Sequence, residues 1–224
     1  MYGSEGFTLY DLALWGEGLG ISFSIFLVSS IFGLVLGCVI GLIRYYNILI
    51  VGKALMLISE FLKNSPVLVQ LFLVYFGIPA LLAINMTPWE AAMITLTANT
   101  AAFIAVIVIS SIEAIDLKQL EAARSFALSE RIILAKIIFP QALAISTPLL
   151  VGLAINQLQV TSLISVIGVV DLTRVGDIIN QRTFEPFIVW PIIGATYFIL
   201  AKSIERIGAR LERRFGAHHI SNEI

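Results

Sequence analysis

Residues 19–43, LGISFSIFLVSSIFGLVLGCVIGLI, contain no charged side chain. An apolar run of that length, rising about 1.5 Å per residue as a helix, is long enough to cross the roughly 30 Å hydrocarbon core of a bilayer. Several further runs follow it. Together they make the chain 58% hydrophobic and only 13% charged, with a mean hydropathy of +0.96. Soluble domains average about 45–50% apolar and about 25% charged, so the expected fold class is all-α, a polytopic helical membrane protein.

Five spans are expected, at roughly 19–43, 54–84, 88–113, 144–170 and 187–208. The third opens on Thr-Pro-Trp-Glu. That places Thr87 at the N-cap, Pro88 at the first helical position and Glu90 as the second half of a capping box. The fifth is entered through Pro186. No repeat or low-complexity tract breaks the series, and 1–224 reads as a single transmembrane domain. The first eighteen residues carry three acids and no Lys or Arg. A secretory signal peptide begins basic, so no cleaved signal is expected and the first run stays as an anchor. The single cysteine, Cys38, excludes an intramolecular disulfide. A net charge of −1 says nothing about nucleic acid, since the placement of charge matters more, and no nucleic-acid partner is expected.

Orientation follows from the basic residues. With the N-terminus outside, eleven Lys and Arg fall on the inner side: Arg44, Lys53, Lys118, Arg124, Arg131, Lys136, Lys202, Arg206, Arg210, Arg213 and Arg214. Only Arg174 and Arg182 fall outside. The C-terminus is then cytoplasmic, as is a loop at roughly 114–140. That loop is too long for a plain connection, is rich in Glu, Ala, Arg, Leu and Lys, and is expected to form a short helix. Small residues at Ala122 and Ala123 would let its backbone approach another protein closely. A basic helix lying on lipid headgroups fits the same residues.

The stretch QLEAARSFALSERIILAKIIFPQAL, 119–143, resembles the EAA loop of ABC-importer permeases. EFLKNSPVLVQLFLVYFGIP (60–79), LTANTAAFIA (96–105) and TSLISVIGVVDL (161–172) resemble segments of the polar amino acid permease family, of histidine, glutamine and arginine type. The likeness covers most of 14–214. It implies a bacterial inner-membrane permease with a coupling helix. Partners would be a dimer of cytoplasmic ATP-binding subunits, a second permease chain (the same or different), an extracytoplasmic substrate-binding protein and membrane lipid. ATP and Mg would be used by the ATPase, and this chain, with no glycine-rich phosphate loop, would be a transporter subunit and no enzyme, binding no cofactor. The resemblance puts Glu121, Ala122 and Ala123 against the ATPase. The family glycine falls at Ala127, and losing it should make the turn after the helix less sharp.

Polar groups at membrane depth face a partner helix or a water-filled cavity. Asn156, Gln157, Gln159, Thr161, Ser162 and Ser165 cluster in the fourth span, and Gln157, Thr161 and Ser165 repeat every four residues. By resemblance, Asn156, Gln159, Thr161 and Ser162, with Ser65 and Gln70 of the second span, are candidate substrate contacts; helix–helix hydrogen bonding explains them equally. Pro66 frees a backbone carbonyl that nearby polar groups can satisfy. Glu60 and Lys63, three apart, are expected to pair. Gly33, Gly37 and Gly41 form a small-residue stripe expected to pack another helix closely. His218 and His219 lie in the polar tail, and no metal site accompanies them.

Some charged family positions are neutral here. The family Glu and Arg of the third span fall at Val106 and Ile109, its Lys-Asp pair at Gln159 and Val160, and its Tyr at Phe103. Either the substrate is an uncharged or polar amino acid, or a partner chain holds the charges. Other readings are a permease for an opine or osmolyte, and a membrane scaffold that recruits a cytoplasmic enzyme.

Overall fold

A computed structural model describes the backbone of residues 8–46 and 49–220, and the side chains of 8–46 and 51–215. All described elements are helices. In chain order they are α1 (Leu9–Tyr45), α2 (Leu49–Asn64), α3 (Val67–Leu82), α4 (Pro88–Glu113), α5 (Leu117–Ser125), α6 (Glu130–Ile167), α7 (Leu172–Thr183) and α8 (Pro186–Ile220). α1, α4, α6 and α8 are long and apolar enough to cross a membrane, and the bent pair of α2 and α3 is apolar enough to count as a fifth if it is taken as one span.

The helix starts follow local chemistry. At α4 the Thr87 amide and hydroxyl donate to Glu90 Oε2 (2.7 and 2.8 Å) and the Glu90 amide donates to Thr87 Oγ1 (3.3 Å), the expected capping box. Thr8 and Asp11 repeat the device at α1, the Thr8 amide donating to Asp11 Oδ2 at 2.7 Å. Pro79 and Pro140 sit in continuing helices, and the residue four before each lies in a π-helical turn, Leu73–Gly77 and Leu134–Ile138. A proline ring collides with that carbonyl in a regular helix; the wider turn makes room.

The bundle is built around α1 on α4. A Cβ at Gly33, Gly37 or Gly41 would stand 2.7 Å from Thr100 Cβ, 2.6 Å from Ile104 Cβ and 2.9 Å from Val108 Cβ. The stripe is therefore a packing surface, matched residue for residue by a second four-residue ladder on α4. α6 packs on both α4 and α8, and α7 lies across the N-terminal part of α1, where Leu172, Val175 and Ile179 meet Leu14, Trp15 and Leu19.

Helix bounds differ from the expected spans in several places. The second span is no straight crossing: Val51–Asn64 and Val67–Leu82 meet at 115°. Pro66 lacks the N–H that would continue the ladder and disfavours a helical Ser65. α1 begins ten residues before position 19, because the Thr8 cap starts a helix that polar residues do not stop. α6 begins at Glu130 and α8 runs on to Ile220, so both extend well beyond a bilayer core. Residues 161–167 tighten into a 3-10 helix that ends on Gly168 at φ 95°, and α7, an amphipathic helix too short and too polar to span, was not foreseen.

Candidate functional site

α5 hangs at the end of the bundle where α4 finishes and α6 begins. Asp116 caps it, accepting from the Lys118 amide at 2.9 Å. Leu120 and Ala123 turn inward against Ile112, Ile115, Ile133 and Ile138. Glu121 and Ala122 face solvent. This corrects the expectation for Ala123: it is buried in the chain's own core, so its small size serves the seating of α5. Two polar ties brace the helix, Gln141 to Gln119 (2.9 Å) and Arg124 to Glu130 (3.0 Å).

The turn after α5 also departs from expectation. Ala127 sits at φ 56°, with its amide on the Arg124 carbonyl (2.9 Å) while the Leu128 amide reaches the Ala123 carbonyl (3.3 Å). These two bonds make a Schellman cap, which normally takes glycine. Alanine holds the sharp turn anyway, at a strain of roughly 1–2 kcal/mol. The turn leaves Phe126 81% exposed beside Glu121 and Ala122. Phe126 was not singled out from the sequence; a bulky aromatic in an otherwise polar segment was the available signal.

In the bundle interior, buried Gln70 and Asn99 close the break at Pro66. Gln70 Nε2 donates to the Leu62 carbonyl (2.6 Å) and to Ser65 Oγ (3.0 Å). Asn99 Nδ2 donates to the same carbonyl and to Gln70 Oε1, both at 3.2 Å. Leu62 is four residues before Pro66, so this is the carbonyl the proline leaves free. The expected polar satisfaction is present, and the Gln70 amide and Ser65 hydroxyl are engaged within the chain. Glu60 and Lys63 pair at 3.0 Å, as expected.

The polar cluster of α6 divides into two faces. Gln157 is buried and donates to Ser29 Oγ (3.0 Å) and the Leu96 carbonyl (3.3 Å), tying α6 to α1 and α4. Thr161 is buried as well, its hydroxyl donating to the Leu158 carbonyl at 2.7 Å. Asn156 and Gln159 are exposed and Ser162 is half-buried. Among the described residues neither exposed amide has a partner within the chain. Such groups at membrane depth require water or another chain beside them. Thr161, proposed with the substrate contacts, thus belongs to the inward set, whereas Asn156, Gln159 and Ser162 line an open face.

At the opposite end from α5, two buried carboxylates organise the surface. Asp11 pairs with Arg182, joining the start of α1 to the end of α7. Asp171 is fully buried; Oδ1 accepts from the Arg174 amide (2.9 Å), and the adjacent Leu172 amide donates to Ser22 Oγ (3.0 Å). Burial pushes the Asp171 carboxyl up from 3.8 to about 6 despite the bond from the Arg174 amide. Neither carboxylate stood out in the sequence, because the ion-pair partner of Asp11 lies 171 residues away and Asp171 caps a helix the apolar pattern does not announce. The side chains of His218 and His219 lie outside the described residues.

Comparison with known proteins gives a consistent picture. Residues 33–216 match the family described as binding-protein-dependent transport system inner membrane component. The L-cystine transport system permease protein TcyL of Bacillus subtilis is 33% identical over 202 residues, covering 88% of this chain and 84% of that one. A putative glutamine transport system permease protein of Rickettsia bellii is 30% identical over 88% of this chain and 91% of its own. The arginine transport system permease protein ArtQ of Bacillus subtilis is 31% identical over 88% of this chain and 90% of its own. Among solved structures, a chain of an amino acid ABC transporter crystallised with histidines superposes with a TM-score of 0.85 at 30% identity, covering 91% of this chain and 94% of that chain.

Proposed function

Because the chain belongs to the family of binding-protein-dependent transport system inner membrane components, we propose that it is the transmembrane permease subunit of an ATP-driven amino-acid importer. The observation that carries this reading is α5. Its inner face is fixed by the bundle core and two polar ties, while its outer face offers Glu121, Ala122 and Phe126, which no described residue covers. A rigidly seated helix with an uncovered face is suited to passing a push from a docked ATPase into α4 and α6. ATP and Mg belong to that ATPase.

The exposed amides of Asn156 and Gln159, with Ser162, line the path, which a second permease chain completes. Delivery by a binding protein takes place at the α7 end, so the N-terminus is outside and the α5 end cytoplasmic. Asn156, Gln159 and Ser162 are uncharged, and Val106 and Val160 stand at positions where the family resemblance puts acidic residues. An unpaired buried charge costs several kcal/mol. The substrate is therefore an uncharged or polar amino acid.

The test uses the assembled transporter in vesicles. Phe126→Ala and Glu121→Lys should each abolish stimulation of ATP hydrolysis by loaded binding protein, with the helical signal and assembly of the membrane subunit unchanged. Full stimulation in both variants would return α5 to a helix resting on lipid.

A further inference from the structure

A groove of about 340 Å³ runs between α6 and α8, lined by Leu143, Leu150, Ala154, Ile207, Leu211 and Phe215 among others. Its walls are carbon. The hydroxyl of Thr147, which also borders it, is occupied by the Leu143 carbonyl at 2.6 Å. Gly208 brings the helices together at one edge, a Cβ there standing 2.5 Å from both γ-methyls of Val151. Depth says what such a groove can hold. Phe215 follows Pro186 by about 43 Å of helix at roughly 1.5 Å per residue, close to the 40–45 Å thickness of a bilayer with its headgroups. The groove from Ile204 to Phe215 therefore occupies the leaflet at the C-terminal end of α8.

One flank of the groove is basic; on the other, Glu212 stands four residues after the groove-lining Gly208. Lys202, Arg206, Arg210 and Arg214 recur every fourth residue and form a strip beside the groove-lining strip of Ile207, Leu211 and Phe215. Lys202 is paired with Glu205. Arg206, Arg210, Arg213 and Arg214 are exposed, and among the described residues none of these four has a carboxylate partner. Runs of basic residues just beyond a transmembrane helix attract anionic headgroups.

We propose that this groove binds one anionic phospholipid, an acyl chain lying between α6 and α8 and the phosphate on the guanidinium groups of Arg210 and Arg214. Charge complementarity favours a lipid over a second copy of the chain, since a two-fold contact through this face would bring the same arginines toward one another. It also favours an anionic over a zwitterionic lipid, whose ammonium the arginines would repel. The site is independent of the transported substrate.

Native mass spectrometry provides the test, on the full chain extracted with its co-purifying chains from an equal mixture of phosphatidylglycerol and phosphatidylcholine. Phosphatidylglycerol should be retained selectively. Each basic residue near a charged membrane contributes about fivefold to binding, so Arg210→Gln with Arg214→Gln should lower retention about 25-fold. Arg213→Gln, on the far side of the helix, should change it less than about twofold. Ala154→Phe, which fills the groove with every arginine intact, should also reduce retention. Equal effects of all the arginine changes would mean diffuse attraction and overturn the site. So would displacement of the lipid by millimolar inorganic phosphate, or a groove cross-linked to a second copy with lipid retention unchanged in the Arg210/Arg214 variant.

Discussion

Gly37→Ala isolates the contact on which the bundle is built. The added Cβ would stand 2.6 Å from Ile104 Cβ and 2.8 Å from the Ala101 carbonyl oxygen. Carbon pairs are at their best near 3.5–4.0 Å, so α1 and α4 must part by about 1 Å, and a gap of that size forfeits a quarter to a half of each neighbouring contact. Gly33 and Gly41 lie on the same ladder and lose contact with it. Overpacking costs about 1–3 kcal/mol, and Ala in place of Gly inside a helix returns roughly 0.5–1 kcal/mol. The obstruction includes a backbone oxygen, which no rotamer relieves, so the net loss should be about 2 kcal/mol. Gly20→Ala is the control: nothing lies within 4 Å of a Cβ there, and stability should hold or rise by up to about 1 kcal/mol. Gly208→Ala gives a second contrast, because its Cβ meets Val151 γ-methyls at 2.5 Å and the Val151 Cβ only at 3.1 Å. Val151→Ala should rescue it, whereas Ile104→Ala keeps the offending Cβ and should not rescue Gly37→Ala. Unfolding by SDS titration from mixed micelles reads all five variants. Equal stability of Gly37→Ala and Gly20→Ala would falsify the close α1–α4 approach.

Three further perturbations test the local chemistry. Ala127→Gly should remove the left-handed strain and, after the entropy glycine adds to the unfolded chain, stabilise the turn by up to about 1 kcal/mol; hydrogen exchange at the Ala127 and Leu128 amides should slow, and faster exchange would contradict the Schellman cap. Gln70→Leu removes two of the groups holding the Pro66 break and should cost about 1–3 kcal/mol. Spin labels on α2 and α3 should then report a broader distance distribution, and an unaltered one would show that the amide is dispensable to the bend. For Asp171 the folded carboxyl titrates near 6 against an ordinary 3.8, so the fold prefers the protonated form. Its stabilisation is present below about pH 4 and is lost as pH rises through about 6, a change of about 3 kcal/mol. Asp171→Asn keeps an oxygen to cap α7 and should flatten the wild-type decline between about pH 4 and 6; a parallel decline in both proteins would assign it to other groups.

What the sequence revealed was mostly local. The apolar runs, the Thr87–Glu90 box and the Glu60–Lys63 pair depend on residues a few positions apart, and each is present. The glycine stripe was legible, but its partner was not, since nothing near Gly37 points to Ile104. Pro66 announced a freed carbonyl, yet the 115° bend depends on Gln70 and Asn99 meeting across two helices. Inward-facing Ala123 was within reach: Leu120 and Ala123 are three apart, and helical periodicity sets them on one face away from Glu121 and Ala122. The Ala127 turn escaped because the absence of glycine was read as a change of shape, when two backbone bonds hold the shape and the residue bears the strain. Asp11 and Arg182 lie 171 residues apart, and no pattern along the chain connects them.

Transport itself is the central claim, and uptake measures it. The assembled system in vesicles, with ATP supplied at the α5 face and binding protein at the other, should accumulate a labelled uncharged amino acid. Other uncharged amino acids should compete, excess arginine, lysine, aspartate or glutamate should not, and removal of ATP should stop accumulation. ATPase that binds at α5 without accumulation of any amino acid would contradict the account and leave the chain a scaffold.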